Sequence, residues 1–158
     1  MRDRRFIAQS RGGDLKIEQH RQLIVWASGC VEHILPLLGQ EPDDRLKNAL
    51  MVAKEWVIAK ATVGDARNAS LKSIAFANES SSQISIAIAR ASGHAVATAH
   101  MADHALGAAM YALKAVKYAG KSVDAERKWQ NEQLASEIRE LVLTTRGNKE
   151  QMFKDLRI

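Results

Sequence analysis

Between Ser80 and Gly120 the side chains are mostly Ala, Ser and Gly, interrupted by His94, His100 and His104. No other feature restricts the fold as much. Alanine favours helix, and a face of small side chains lets neighbouring backbones approach closely. The stretch is nearly forty residues long if read as one helix, which exceeds what a compact domain normally holds. A break near Gly93 or around Met101–Asp103 is therefore expected, with Asp103 as the cap of the second piece. This gives two helices, about 81–100 and 103–119, the second ended by Gly120.

The remaining segments follow the same period. Leu23, Trp26, Ala27, Cys30, Ile34, Leu37 and Leu38 recur at three- and four-residue steps, which predicts a helix over 17–38 with Pro36 in its last turn and Gly39 as its stop. Pro42, Asp43 and Asp44 open a second helix. Its inward face is Leu46, Ala49, Leu50, Ala53, Trp56 and Val57. Thr62 and Asp65 have the capping-box spacing for a third helix to about Asn78, with Ala66, Ala69, Ile74 and Ala77 inward. Ser80 to Gln83 offers another such start. A last helix is expected over 123–145 with Trp129, Leu134, Ile138, Leu141 and Val142 as its stripe. No segment alternates with period two. The expectation is an all-α, single-domain antiparallel bundle of about six helices over 17–145. An extended N-terminal arm (1–16) precedes it and a weakly held tail (146–158) follows.

With 158 residues, 46% of them hydrophobic, the chain can bury a core without a disulfide or metal. Cys30 is its one cysteine, which suits a reducing, cytoplasmic setting. MRDRRF has no apolar region behind it, so a secretory signal is not expected. No run is long and apolar enough for a membrane span. The net charge of +5 divides into +3 over 1–21, −1 over 22–104 and +3 over 105–158. The basic run from Lys114 to Lys128 reads as a solvated face mixed with Asp124 and Glu126. A basic helical nucleic-acid binder is an alternative, without a recognised motif behind it.

Chemistry is sparse. His100 and His104, four apart, sit about 40° apart on one helix and can share a metal. A third ligand would come from Asp103, His33 or Glu32. His94 points elsewhere unless the helix breaks. The stronger expectation makes these histidines parts of a tight helical seam, with Arg11, His33, His94, His100, Asp103 and His104 as the candidate pocket or interface residues. Cys30 and His33 are three apart, but a nucleophile pair needs an orienting group and a cleft. Arg11-Gly12-Gly13 offers backbone amides to a phosphate or, more simply, a turn. No catalytic residue and no cofactor is expected. Self-association through the alanine-rich seam is a further expectation.

Three segments carry a family resemblance. They are RFIAQSRGGD (Arg5–Asp14) leading into HRQLIVWASGCVEHILPLL, then DDRLKNALMVAKEWVIAKATVGDARNAS, then ARASGHAVATAHMADHALGAAMYALKAV. In this order the chain resembles the bacterial "putative immunity protein" family, the fifth-class-like immunity domains of polymorphic toxin systems, over about 4–120. The histidine segment and the turn Val63–Arg67 are its most specific parts. The resemblance implies a non-enzymatic protein that binds and neutralises a cognate toxin. Immunity proteins against basic nucleases are often acidic, whereas this chain is basic. Either the toxin is not a basic nuclease or the contact is the acidic middle, near Glu41, Asp43, Asp44 and Glu55.

Overall fold

The computed structural model describes residues 2–148. Among them are seven α-helices: α1 Ile17–Ile34, α2 Asp44–Val57, α3 Val63–Glu79, α4 Gln83–Ala97, α5 His104–Tyr118, α6 Val123–Glu132 and α7 Ser136–Asn148. No strand is present among the described residues. The expected all-α bundle is what forms, with one helix more than the periodicity suggests. The predicted last helix is two, α6 and α7, separated at Gln133–Ala135.

Local signals set most of the boundaries. Thr62 Oγ1 accepts the Asp65 amide at 3.0 Å, and Asp65 Oδ2 accepts the Thr62 amide at 2.9 Å, the reciprocal capping box. Asp43 caps α2 through the Arg45 amide. The cap of α4 is Ser82, which holds the Ser85 amide; the box expected between Ser80 and Gln83 does not form. Pro36 removes a helical donor, and α1 gives way at Ile34 to a 3-10 turn over Leu35–Leu38. Gly39 and Gly120, at φ 69° and 74°, reverse the chain after their helices.

The arm differs from its expectation. It is folded on itself rather than extended, through 3-10 turns at Arg4–Phe6 and Gln9–Arg11 and a bridge between Ala8 and Leu15. A Cβ on Gly13 would stand 2.1 Å from the Ile7 carbonyl oxygen, so only glycine fits that crossing. Phe6 and Leu15 are buried and anchor the arm in the core. The Arg11, Gly12 and Gly13 amides donate to the Ala8 and Gln9 carbonyls. Arg11-Gly12-Gly13 is therefore the turn that was the simpler expectation, with no amides left for a phosphate.

Helix α4 is the hub, packed against α1, α2, α3 and α5. A helix surrounded on all sides must be apolar or small all round. Ala87, Ile88, Ala89, Ala91, Ser92, Gly93, Ala95, Val96 and Ala97 are all buried. Facing them, Ala105, Ala108, Ala109, Ala112 and Ala115 of α5 are buried too. The small-residue faces of α4 and α5 are thus buried inside one chain. Polar groups at these faces are satisfied: Ser70 Oγ donates to the Gly93 carbonyl at 2.9 Å and Ser73 Oγ to that of Ala89 at 2.7 Å. Ile74, expected inward on α3, is on the surface instead.

Residues 146–148, assigned to the tail, continue α7. Arg146 is buried and donates to Asn131 Oδ1 at 2.6 Å and to Gln130 Oε1. The rest of the expected tail, 149–158, lies outside the described residues.

Candidate functional site

The break between α4 and α5 builds the site. Thr98 Oγ1 turns back to the His94 carbonyl at 3.0 Å. The Thr98 carbonyl accepts His20 Nε2–H at 2.6 Å. A continued helix would give that carbonyl to the Ala102 amide. The chain instead turns through 98–103, and α5 runs back along α4. Asp103 stands at the cap position, but its side chain makes no capping bond, and its Oδ1 is buried without a partner. The expected role of Asp103 as a side-chain cap is therefore not fulfilled.

The reversal brings His94 to His104. Their Nδ1 atoms are 2.9 Å apart, so one donates a proton to the other's bare nitrogen. The His94 ring also stacks on Tyr111, with centroids 5.2 Å apart. A Cβ on Gly107 would stand 2.6 Å from His94 Nδ1, so the glycine makes room for the ring. Burial, with repulsion from His104 and Arg90 and partial relief from Asp103, pushes His94 down to about 4. His104 is lowered chiefly by burial, with Asp103 opposing. His100 is lowered by burial and then by Arg67, His104, Arg11 and Arg2.

His100 lines two adjoining cavities. One, of about 310 Å³, lies between α3 and the α4–α5 turn and includes Arg67, Leu71, Ile74, His94 and His104. The other, of about 180 Å³, lies under the arm and includes Arg2, Arg11, His20 and Trp56. Thus Arg11, His94, His100, Asp103 and His104 come together as one region. His33 does not. It stacks on Trp129 at 3.5 Å, and its Nδ1 is 2.7 Å from Glu126 Oε2, beside a separate groove of about 640 Å³ between α1 and α6. Glu32 pairs with Lys54 at 2.9 Å. Neither can complete a metal set with His100 and His104. Among the described residues no cluster of three or more His, Cys, Asp or Glu converges on one point. The Cys30 thiol is buried, with its pKa pushed up by that burial, and His33 is exposed, so the pair shares no cleft.

Sequence reasoning missed Arg67, Leu71 and Ile74 as site residues. Their spacing on α3 carried the signal. Positions i, i+4 and i+7 share one face, and that face looks into the cleft rather than into the core.

The model of a family described as "Imm-5 like putative immunity protein" matches residues 13–137. The chain belongs to this family. The match to the Imm-5 like family begins at Gly13, leaving out most of the arm segment that contributed to the resemblance. It runs through α6 into α7, beyond where the resemblance was expected to hold. All three cleft histidines and Arg67 fall inside it. Comparison with curated proteins and with solved structures gives no match.

Proposed function

We propose that the chain is a non-enzymatic, cytoplasmic immunity protein that binds a cognate bacterial toxin and blocks it. Membership of the Imm-5 like family over 13–137 carries this reading. The side-chain chemistry is compatible with it. The one thiol is sealed in the core, and His94 and His104 hydrogen-bond each other rather than a nucleophile. No helix among the described residues is long and apolar enough to cross a membrane.

Mimicry of nucleic acid gains no support. Two of the four carboxylates of the acidic middle are paired with neighbours: Glu41 holds Lys47 at 2.7 Å, while Arg45 bridges Asp43 and Glu79. That favours a toxin other than a basic nuclease. The test is co-expression with a toxin-domain gene, should one be encoded beside this chain. Survival of cells that otherwise die, with a stable complex on size exclusion, is the expected result. A neighbouring toxin that kills equally well in the presence of this chain, and does not bind it, would sink the reading.

A further inference from the structure

Among the described arginines, Arg139 and Arg146 bond to oxygens of α6, and Arg90, exposed and without a carboxylate, lies over the Tyr111 ring at 5.9 Å. Arg4, Arg5, Arg21, Arg45 and Arg127 each hold a carboxylate, at distances from 2.6 to 3.8 Å. Arg2, Arg11 and Arg67 have no carboxylate and no hydrogen-bond acceptor among the described residues, and all three are exposed. These three are not scattered. Arg2 and Arg11 line the cavity on one side of His100 and Arg67 the cavity on the other. Next to Arg67 on the same face of α3 stand Leu71, 64% exposed, and Ile74, 37% exposed. Two large aliphatic side chains left in water beside unpaired guanidinium groups mark a surface that something covers.

We infer that the cleft between α3 and the α4–α5 turn, together with the adjoining arm, docks a segment of a partner protein that places carboxylates on Arg67, Arg11 and Arg2 and an aliphatic side chain on Leu71 and Ile74. The charge pattern sets the sign of the partner, and guanidinium groups suit carboxylates because both are planar and can pair through two parallel hydrogen bonds. The aliphatic pair selects protein over nucleic acid, since a phosphate backbone has nothing to bury there. Asp103 is the acidic group nearest the histidines, and it faces His94 and His104, where it raises their proton affinity, not the arginines. The surface rests on the proposed immunity role only for the identity of its partner.

The experiment uses the full chain and a defined probe. Acetyl-Glu-Leu-Glu-Leu-amide is titrated into isotope-labelled protein and followed by NMR, against the Gln-for-Glu peptide and a short oligothymidylate. Expected are shifts centred on Arg67, Leu71, His100 and His104, with affinity falling about tenfold or more in Arg67→Glu and in the Arg2→Ala/Arg11→Ala double variant. Leu71→Ser should weaken the peptide and leave the native spectrum otherwise intact. All these positions are exposed, so the variants should fold, and each spectrum reports it. The inference is overturned if the probe leaves the cleft resonances unmoved, if the Gln peptide moves them equally, if the oligothymidylate takes the cleft in preference to the peptide, or if Arg67→Glu binds as the native chain does. A chain that binds the probe but fails to rescue toxin-producing cells keeps this surface and loses the immunity role. Undiminished rescue by Arg67→Glu does the reverse.

Discussion

The two Nδ1 atoms of His94 and His104 share one proton across 2.9 Å, and a second proton there has no acceptor. His94 therefore stays neutral in the folded chain down to about pH 4, against an ordinary value of 6.5. The folded pKa is depressed, so the unfolded chain binds more protons between these values. The stability tied to His94 is full above about pH 6.5 and is lost as pH falls toward 4. The shift corresponds to about 3 kcal/mol at most. His20 and His104, also lowered mainly by burial, act in the same direction. Urea midpoints should fall steeply from pH 7 to pH 5, and His94→Gln should flatten that fall. An equally steep fall in the variant would refute the assignment. Gly107 is the second residue to probe. Gly107→Ala gains about 1 kcal/mol of helix propensity, yet its Cβ would displace the His94 ring. The expected outcome is a folded protein in which His94 titrates nearer its ordinary value, as read from its imidazole resonances.

At the level of elements, the expected break between α4 and α5 and the unexpected one between α6 and α7 share a cause. The His20 imidazole takes the Thr98 carbonyl where α4 stops. The Trp26 indole takes the Gln130 carbonyl at 2.8 Å, and Arg139 takes the Asn131 carbonyl at 3.2 Å, where α6 stops. Continued helices would give the last two carbonyls to the Leu134 and Ala135 amides. His20 and Trp26 both belong to α1, so one helix fixes where two others end. His20→Phe keeps a ring but leaves the Thr98 carbonyl buried and unpaired, and should cost about 1–3 kcal/mol. Denaturant unfolding measures it. A variant as stable as the native chain would mean that the α4–α5 turn holds without this bond. The capping box at Thr62 and the stops at Gly39 and Gly120 were legible in the sequence, because each involves atoms only a few residues apart. The length of the alanine-rich stretch called for the break between α4 and α5, but the break between α6 and α7 carried no mark, since Gln133–Ala135 contains neither Gly nor Pro.

For the whole molecule, α7 is locked by a buried charge. Arg146 bonds to the side chains of Gln130 and Asn131 and lies over the Trp26 ring at 5.5 Å. Burial lowers its pKa to about 10. Arg146→Ala would strand the fully buried Gln130 oxygen and should destabilise the fold by about 3 kcal/mol. Arg146→Lys, lacking the planar fork, should recover only part of it. Equal stability of all three forms in urea would show that α7 does not depend on this contact.

What the sequence determined by itself was the material of the bundle: helical period, caps and glycine stops, and a small-residue seam that had to be buried. These follow from backbone and side-chain preferences within one or two turns. Tertiary structure decided the rest. His20 and Thr98 are 78 residues apart, yet their bond stands where the long alanine-rich stretch divides. Only that division sets His94 against His104, whose ring also keeps His100 at 6.2 Å. The same folding pairs five arginines with carboxylates and leaves Arg2, Arg11 and Arg67 around one histidine. A pairing that depends on which distant side chain arrives first at a carbonyl or a carboxylate leaves no local pattern, because its energy exists only once the chain has closed on itself.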